Sequence, residues 1–172
     1  IRTFGKIFKI IDFGRAIYKL NGTTICSDSF ADGEDAATQY NCEPYYNPEK
    51  TRVEPNFSFD LCRLGCSIYD FITNNYENLD DIKWPIHDVI MNWCNDDEDK
   101  NILYKNNDIE RYPDFKLYKM IARKVHNHMP INELNHKCFS KFVVSKKEIK
   151  RGSNIWNIDS LNELEEFSEK IK

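Results

Sequence analysis

The sequence predicts a mainly helical α+β fold, in which a short β-hairpin at the N-terminus precedes a series of helices, and three stretches carry that prediction. Residues 3–11, "TFGKIFKII", concentrate Ile and Phe between Gly5 and Gly14, as a strand or tight hairpin does. Residues 58–73, "SFDLCRLGCSIYDFIT", are apolar around most of a helical circumference, which predicts a helix buried on all sides. Residues 114–128, "DFKLYKMIARKVHNH", set Phe115, Tyr118, Ile121, Ala122 and Val125 on one stripe with Lys and Arg opposite.

The chain has 172 residues, the size of one domain with a core that needs no disulfides. At 41% hydrophobic and 30% charged residues, it has the composition of an ordinary globular protein. A net charge of -4 gives no electrostatic reason to expect nucleic acid or an anionic membrane as partner. No run reaches the roughly 18 consecutive apolar residues of a membrane helix, and the first residues do not resemble a signal peptide. A soluble, intracellular chain is expected. The start at Ile1, directly on an apolar segment, leads us to expect a piece of a longer protein.

The six cysteines, Cys26, Cys42, Cys62, Cys66, Cys94 and Cys138, form no C-x-x-C pair. Cys62 and Cys66 share a helix face, but no second pair or His-x-x-x-His completes a zinc set, so reduced, buried thiols are expected. His126 with His128 and His136 with Cys138 are close in sequence without ligand-like geometry.

From Arg15 to about Tyr46 there is no sustained period, and a long structureless polar segment in a compact domain is usually functional. Two Pro-containing turns, "EPYYNPEK" and "RVEPN", lead to the 58–73 helix. Ser58 is its expected N-cap, and Asp60 suits the dipole of the first turn. A short helix is expected over 84–94, with Pro85 near its start, and then a solvated acidic loop, "NDDEDK". After the 114–128 helix, "DSLNELEEFSEKI" predicts another over 159–171, capped by Asp159 and Ser160.

Asp12-Phe13-Gly14 after an apolar strand, then a polar segment, then Pro48-Glu49, then Ser58-Phe59-Asp60 with Gly65, resembles the C-terminal lobe of a protein kinase from the D-F-G strand onward. Asp12 to Glu49 spans 37 positions and Glu49 to Asp60 spans 11, both plausible for that family. Tyr45, Pro48 and Glu49 fall on the family's G-T-x-x-Y-x-A-P-E pattern, with Asn47 replacing the Ala. In the D-x-W-S-x-G helix, Cys62 and Arg63 replace Trp and Ser. "KIIDFGRAIY" and "SFDLCRLGCSIYDF" are similar to divergent kinase-like proteins of large DNA viruses, which implies host cytoplasm or virion. The resemblance covers roughly residues 4–73.

The resemblance implies that residues 1–14 are the strand and D-F-G, 15–49 the activation segment and 50–172 the helical lobe. Asp12 would be the catalytic carboxylate that holds Mg²⁺ against the phosphates of ATP, and Asp12, Phe13 and Gly14 together the cofactor-binding turn. Phe13 would pack into the core, and Gly14 would let the backbone turn. Glu49 would form a buried ion pair with Arg123, or alternatively with Arg111, and Asp60 would accept backbone hydrogen bonds from a catalytic loop. Thr23, Thr24, Ser27, Ser29, Thr38 and Tyr40 are hydroxyls of the activation segment available for phosphorylation. Cys42 stands where Ser/Thr kinases carry a Thr, which leaves the acceptor preference open, with Ser/Thr ahead of Tyr.

No G-x-G-x-x-G, V-A-I-K or H-R-D-x-x-x-x-N motif occurs in these residues. The expected function is therefore that of a catalytic-lobe fragment of a protein kinase, inactive alone. Its expected partners are its missing N-terminal lobe and a protein substrate. The alternatives are a pseudokinase or virion-associated interaction protein without catalysis, and a small-molecule kinase of the aminoglycoside or choline type.

Overall fold

The computed structural model describes residues 9, 11–75, 85–105 and 109–151. The chain divides into two compact units, Phe8–Ser140 and a smaller one made of Ile1–Ile7 and Lys141–Lys172. The described residues are mixed α/β, with five α-helices and one two-stranded antiparallel sheet.

In the larger unit β1 (Ile17–Leu20) pairs with β2 (Thr23–Cys26), Ile17 opposite Cys26 and Leu20 opposite Thr23. The connection is Asn21-Gly22, at φ 50° and 79°. Two successive positive φ values give the turn whose twist matches a hairpin, and Asn-Gly is the pair that adopts them most readily. This hairpin lies inside the stretch that sequence periodicity left unstructured, because four-residue strands are too short to display a period. The strand expected over 3–11 falls almost wholly outside the described residues, and Lys9 and Ile11 are not in a strand. A 3₁₀ turn, Asp28–Phe30, follows β2, with Ser27 Oγ accepting the Ser29 N–H.

Helix α1 (Ser58–Asn75) packs on α2 (His87–Trp93) and α3 (Lys116–Lys124). The core is Cys62, Cys66, Tyr69, Cys94, Ile102, Leu103, Ile121 and Val125, with Ile72 and Ile90 in a second cluster. At the crossing of α1 and α2, a Cβ on Gly65 would lie 2.9 Å from Trp93 Cβ, so the glycine sets how closely the two helices approach. Cys62, Gly65, Cys66, Tyr69 and Ile72 recur at helical spacing and form the buried face. Leu64 and Phe71 lie on the other side and are 49% and 61% exposed. The expectation of a helix enclosed on all sides is thus corrected: α1 buries one face.

The start of α1 also departs from the expected cap. Asn56 Oδ1 accepts the Ser58 N–H at 2.9 Å, while Ser58 Oγ, fully buried, accepts the His128 N–H at 3.0 Å. Ser58 therefore ties α1 to the chain beyond α3. The acidic run after α2 is only partly solvated. Asp96 is 3% exposed, its Oδ1 accepts the N–H groups of Glu98 and Lys100, and its Oδ2 lies 2.9 Å from Arg111 Nη1.

Helix α3 is shorter than its apolar stripe. Asp114 takes φ 56° just before it, and Val125 is extended at its end. A one-turn helix α4 (Pro130–Glu133) follows, where Glu133 Oε2 accepts the Trp93 indole N–H at 2.8 Å and pairs with His136 Nε2 at 3.1 Å. In the smaller unit, α5 (Lys146–Arg151) begins with reciprocal capping: Ser145 N donates to Glu148 Oε2, and Glu148 N to Ser145 Oγ. The helix expected over 159–171 lies outside the described residues. No described helix is long and apolar enough to cross a membrane.

Candidate functional site

Two places hold the residues with chemical potential: the turn at Asp12, and a groove beneath the segment that follows. Asp12 has φ 62°, a left-handed conformation that Asp tolerates better than most residues. Its Oδ1 accepts the Gly14 N–H at 3.3 Å, and a Cβ on Gly14 would lie 3.2 Å from that oxygen. The turn is closed by Ala16 N donating to Phe13 O at 3.0 Å, by Ser27 N donating to Ala16 O at 3.2 Å, and by Ser27 Oγ donating to Gly14 O. The carboxylate is exposed. Phe13 is 63% exposed, so its expected insertion into the core is corrected: the turn lies on the surface of the unit and no described element covers the ring.

The segment after β2 is fixed to the helices by a chain of aromatic rings. Phe30 meets Tyr40 at 5.5 Å between centroids, Tyr40 meets Phe59 of α1 at 6.0 Å, and Phe59 meets Tyr118 of α3 at 6.4 Å. Tyr118 stacks on Phe115 at 5.2 Å. Arginines cap this ladder. Arg63 lies 4.3 Å over Tyr118 and donates to its hydroxyl at 3.1 Å, while Arg15 covers Phe115 and pairs with Asp35. Burial pushes the Tyr40 phenol up to about 12.

Arg123 supplies a second attachment, donating to the carbonyls of Gln39 and Thr38 at 2.8 and 2.9 Å. The expected Glu49–Arg123 pair is therefore not formed. Glu49 is exposed and takes part in no ion pair among the described residues, and its N–H is held by Asn47 Oδ1. The alternative partner, Arg111, is engaged by Asp96 and by Asn101 O. The Asp60 side chain accepts no hydrogen bond among the described residues, which do not include the catalytic loop expected to donate to it, and partial burial raises its carboxyl. Arg123 thus holds the segment through main-chain carbonyls rather than through Glu49.

Asn41 organises the rest of the segment. Its main chain pairs with Val53 in both directions, at 3.0 and 3.2 Å, and its Nδ2 donates to the carbonyls of Asn47, Lys50 and Thr51. Its Oδ1 accepts the Asn47 N–H. No sequence pattern singled out Asn41, although Asn is a residue that commonly organises loops.

Between this segment and α3 runs an open groove of about 1100 Å³. Tyr40, Tyr45 and Tyr46 give it an aromatic lining, and Lys50, Arg52, Lys119 and Arg123 are its fixed cations, against the carboxylates of Asp32 and Glu54. Arg52 lies 4.7 Å over the Tyr46 ring and pairs with Glu54. Asp12 does not line the groove. All six cysteines are free; the expected burial holds for Cys42, Cys62, Cys66 and Cys94 and is corrected for Cys26 and Cys138, which are partly exposed. Cys62 and Cys66 Sγ are 4.0 Å apart, and mutual hydrogen bonding with burial raises the Cys62 and Cys94 thiols.

Compared with known proteins, the chain matches no family model, no curated protein and no solved structure.

Proposed function

We propose that this chain is the metal- and acceptor-binding part of a protein-kinase-like phosphotransfer domain, with the nucleotide-binding lobe and catalytic loop supplied by further chain. The observation that carries the reading is the Asp12 turn. An exposed carboxylate held in a left-handed conformation precedes a polar segment that Arg123 and an aromatic ladder fasten to the helices. Unusual backbone conformations concentrate at functional sites.

Asp12 fits Mg²⁺ as one ligand of a shared shell. Its Oδ1 accepts the Gly14 N–H and its Oδ2 accepts no hydrogen bond among the described residues, and Mg²⁺ commonly takes one or two carboxylates with water and phosphate completing the octahedron. Among the described residues no group of three metal-ligating side chains gathers, so the rest of the shell would come from ATP, water and the missing lobe. When bound, the metal would neutralise charge on the phosphates. On this reading the γ-phosphoryl of ATP passes to a protein hydroxyl, and the base that takes the hydroxyl proton belongs to the absent H-R-D element.

A second reading, a kinase-like interaction protein without catalysis, is favoured by one observation: Asp12 lies outside the groove that a binding partner would use. A phosphotransfer assay on the full-length protein, with ATP, Mg²⁺ and both peptide and small-molecule acceptors, separates the readings. Asp12→Ala is expected to slow transfer by about a hundredfold or more, and chelation of Mg²⁺ to abolish it. Transfer indifferent to Asp12→Ala would remove the metal assignment, absence of transfer would favour the interaction protein, and transfer to small acceptors alone would move the chain to the small-molecule kinases.

A further inference from the structure

We propose that the groove beneath residues 38–56 docks an extended acidic segment of a partner protein. The segment would pair its main chain with the unpaired main chain on either side of the isolated Asn41–Val53 bridge and set its carboxylates against Lys50, Lys119 and Arg123. The inference rests on the groove's own geometry and is independent of the phosphotransfer reading.

Charge supports it first. The chain as a whole carries -4, yet the groove gathers four fixed cations and two carboxylates. Arg52 is already matched by Glu54, and His126 by Asp97. Lys50, Lys119 and Arg123 have no carboxylate in ion-pair distance among the described residues, and the Arg123 guanidinium is anchored on neutral carbonyls. Three uncompensated cations facing an open groove attract an anionic ligand.

The main chain decides which kind of anion. Val53 spends both its N–H and its C=O on Asn41. In an antiparallel pair the flanking residues direct those groups the opposite way. Arg52 and Glu54 accordingly make no main-chain hydrogen bond among the described residues, and both line the groove. The bridge is a single residue pair, so the main chain at Arg52 and Glu54 is free to be extended by an incoming segment, as in strand addition, with main-chain bonds giving affinity and alternate side chains giving selectivity. Tyr45 and Tyr46, each 36% exposed, offer apolar faces to the side chains between the carboxylates. A nucleic acid would use the cations but not the unpaired main chain, and the chain's overall negative charge opposes it.

The test is fluorescence anisotropy on the 172-residue chain, in EDTA and without nucleotide, so that it is blind to any metal site. The probe is a labelled peptide of alternating Glu and Val. It is expected to bind about tenfold more tightly than its Gln–Val counterpart or a single-stranded oligonucleotide, and to lose about tenfold with the double substitution Lys50→Glu, Lys119→Glu. Lys19→Glu with Lys146→Glu, exposed positions outside the groove, should leave binding unchanged. Methylating alternate peptide nitrogens should abolish binding through loss of the main-chain donors. Equal binding of the Gln–Val peptide, preference for the oligonucleotide, equal loss in the control pair, tolerance of N-methylation, or no binding of the Glu–Val peptide would each overturn the proposal. Circular dichroism verifies that each variant is folded, and the peptide-side changes leave the protein untouched.

Discussion

Asp96 belongs to an acidic run and is the residue of that run which the fold encloses. Burial by itself would raise its carboxyl, but the N–H groups of Lys100 and Glu98 and the Arg111 guanidinium outweigh burial and hold it below the usual carboxylate range. The folded pKa is therefore lower than the unfolded value near 3.9, so the group contributes stability above about pH 4 and loses it as pH falls through the folded value. Asp96→Asn should cost about 3 kcal/mol at neutral pH, because Arg111 is left without its counter-charge. The variant should also show a flatter decline in acid, read from urea melts at several pH values. Parallel acid limbs in the two proteins would refute the account. Sequence alone could not single out Asp96, since partners brought together by a loop leave no periodic trace. Consecutive residues marked a turn at 12–14, but the sequence assigned its backbone freedom to Gly14, whereas Asp12 is the residue that takes the left-handed conformation.

At the scale of elements, α1 and α3 were legible because long apolar spacing specifies a helix. What spacing could not supply was a second face: α1 is apolar nearly all round, yet neighbours cover only the Cys62–Gly65–Tyr69 side. The β1–β2 hairpin escaped the periodic reading, and the Asn21-Gly22 pair was its one clear signature. Gly65 is the point at which α1 and α2 meet. Alanine there gains about 1 kcal/mol in helix propensity but brings a methyl within 2.9 Å of Trp93 Cβ and 3.4 Å of Cys94 Sγ. Overpacking against a helix-borne Cβ outweighs propensity, so Gly65→Ala should destabilise by about 1–2 kcal/mol. Thermal melts would show this as a drop of several degrees, and an unchanged or raised Tm would mean that the helices can slide apart freely.

At the scale of the whole molecule, the cysteines report how well the core is closed. Cys26 and Cys138 are partly exposed, whereas burial lifts Cys42 to about 11 and encloses Cys62, Cys66 and Cys94. At about pH 8 a chromogenic disulfide reagent should titrate two thiols quickly in the native chain and all six in denaturant, the slow four appearing only as the structure opens. Four or more fast thiols would contradict a closed core. The same logic applies to the hydroxyls of the segment. Thr23 and Thr38 are exposed, but Tyr40 is a rung between Phe30 and Phe59 and lies at the wall of the groove. Any enzyme that adds a phosphate to Tyr40 must wait for Phe30 and Phe59 to part from it. Modification there would record how often this region breathes, and once made, its two negative charges beside Asp60 would hinder the rungs from closing again.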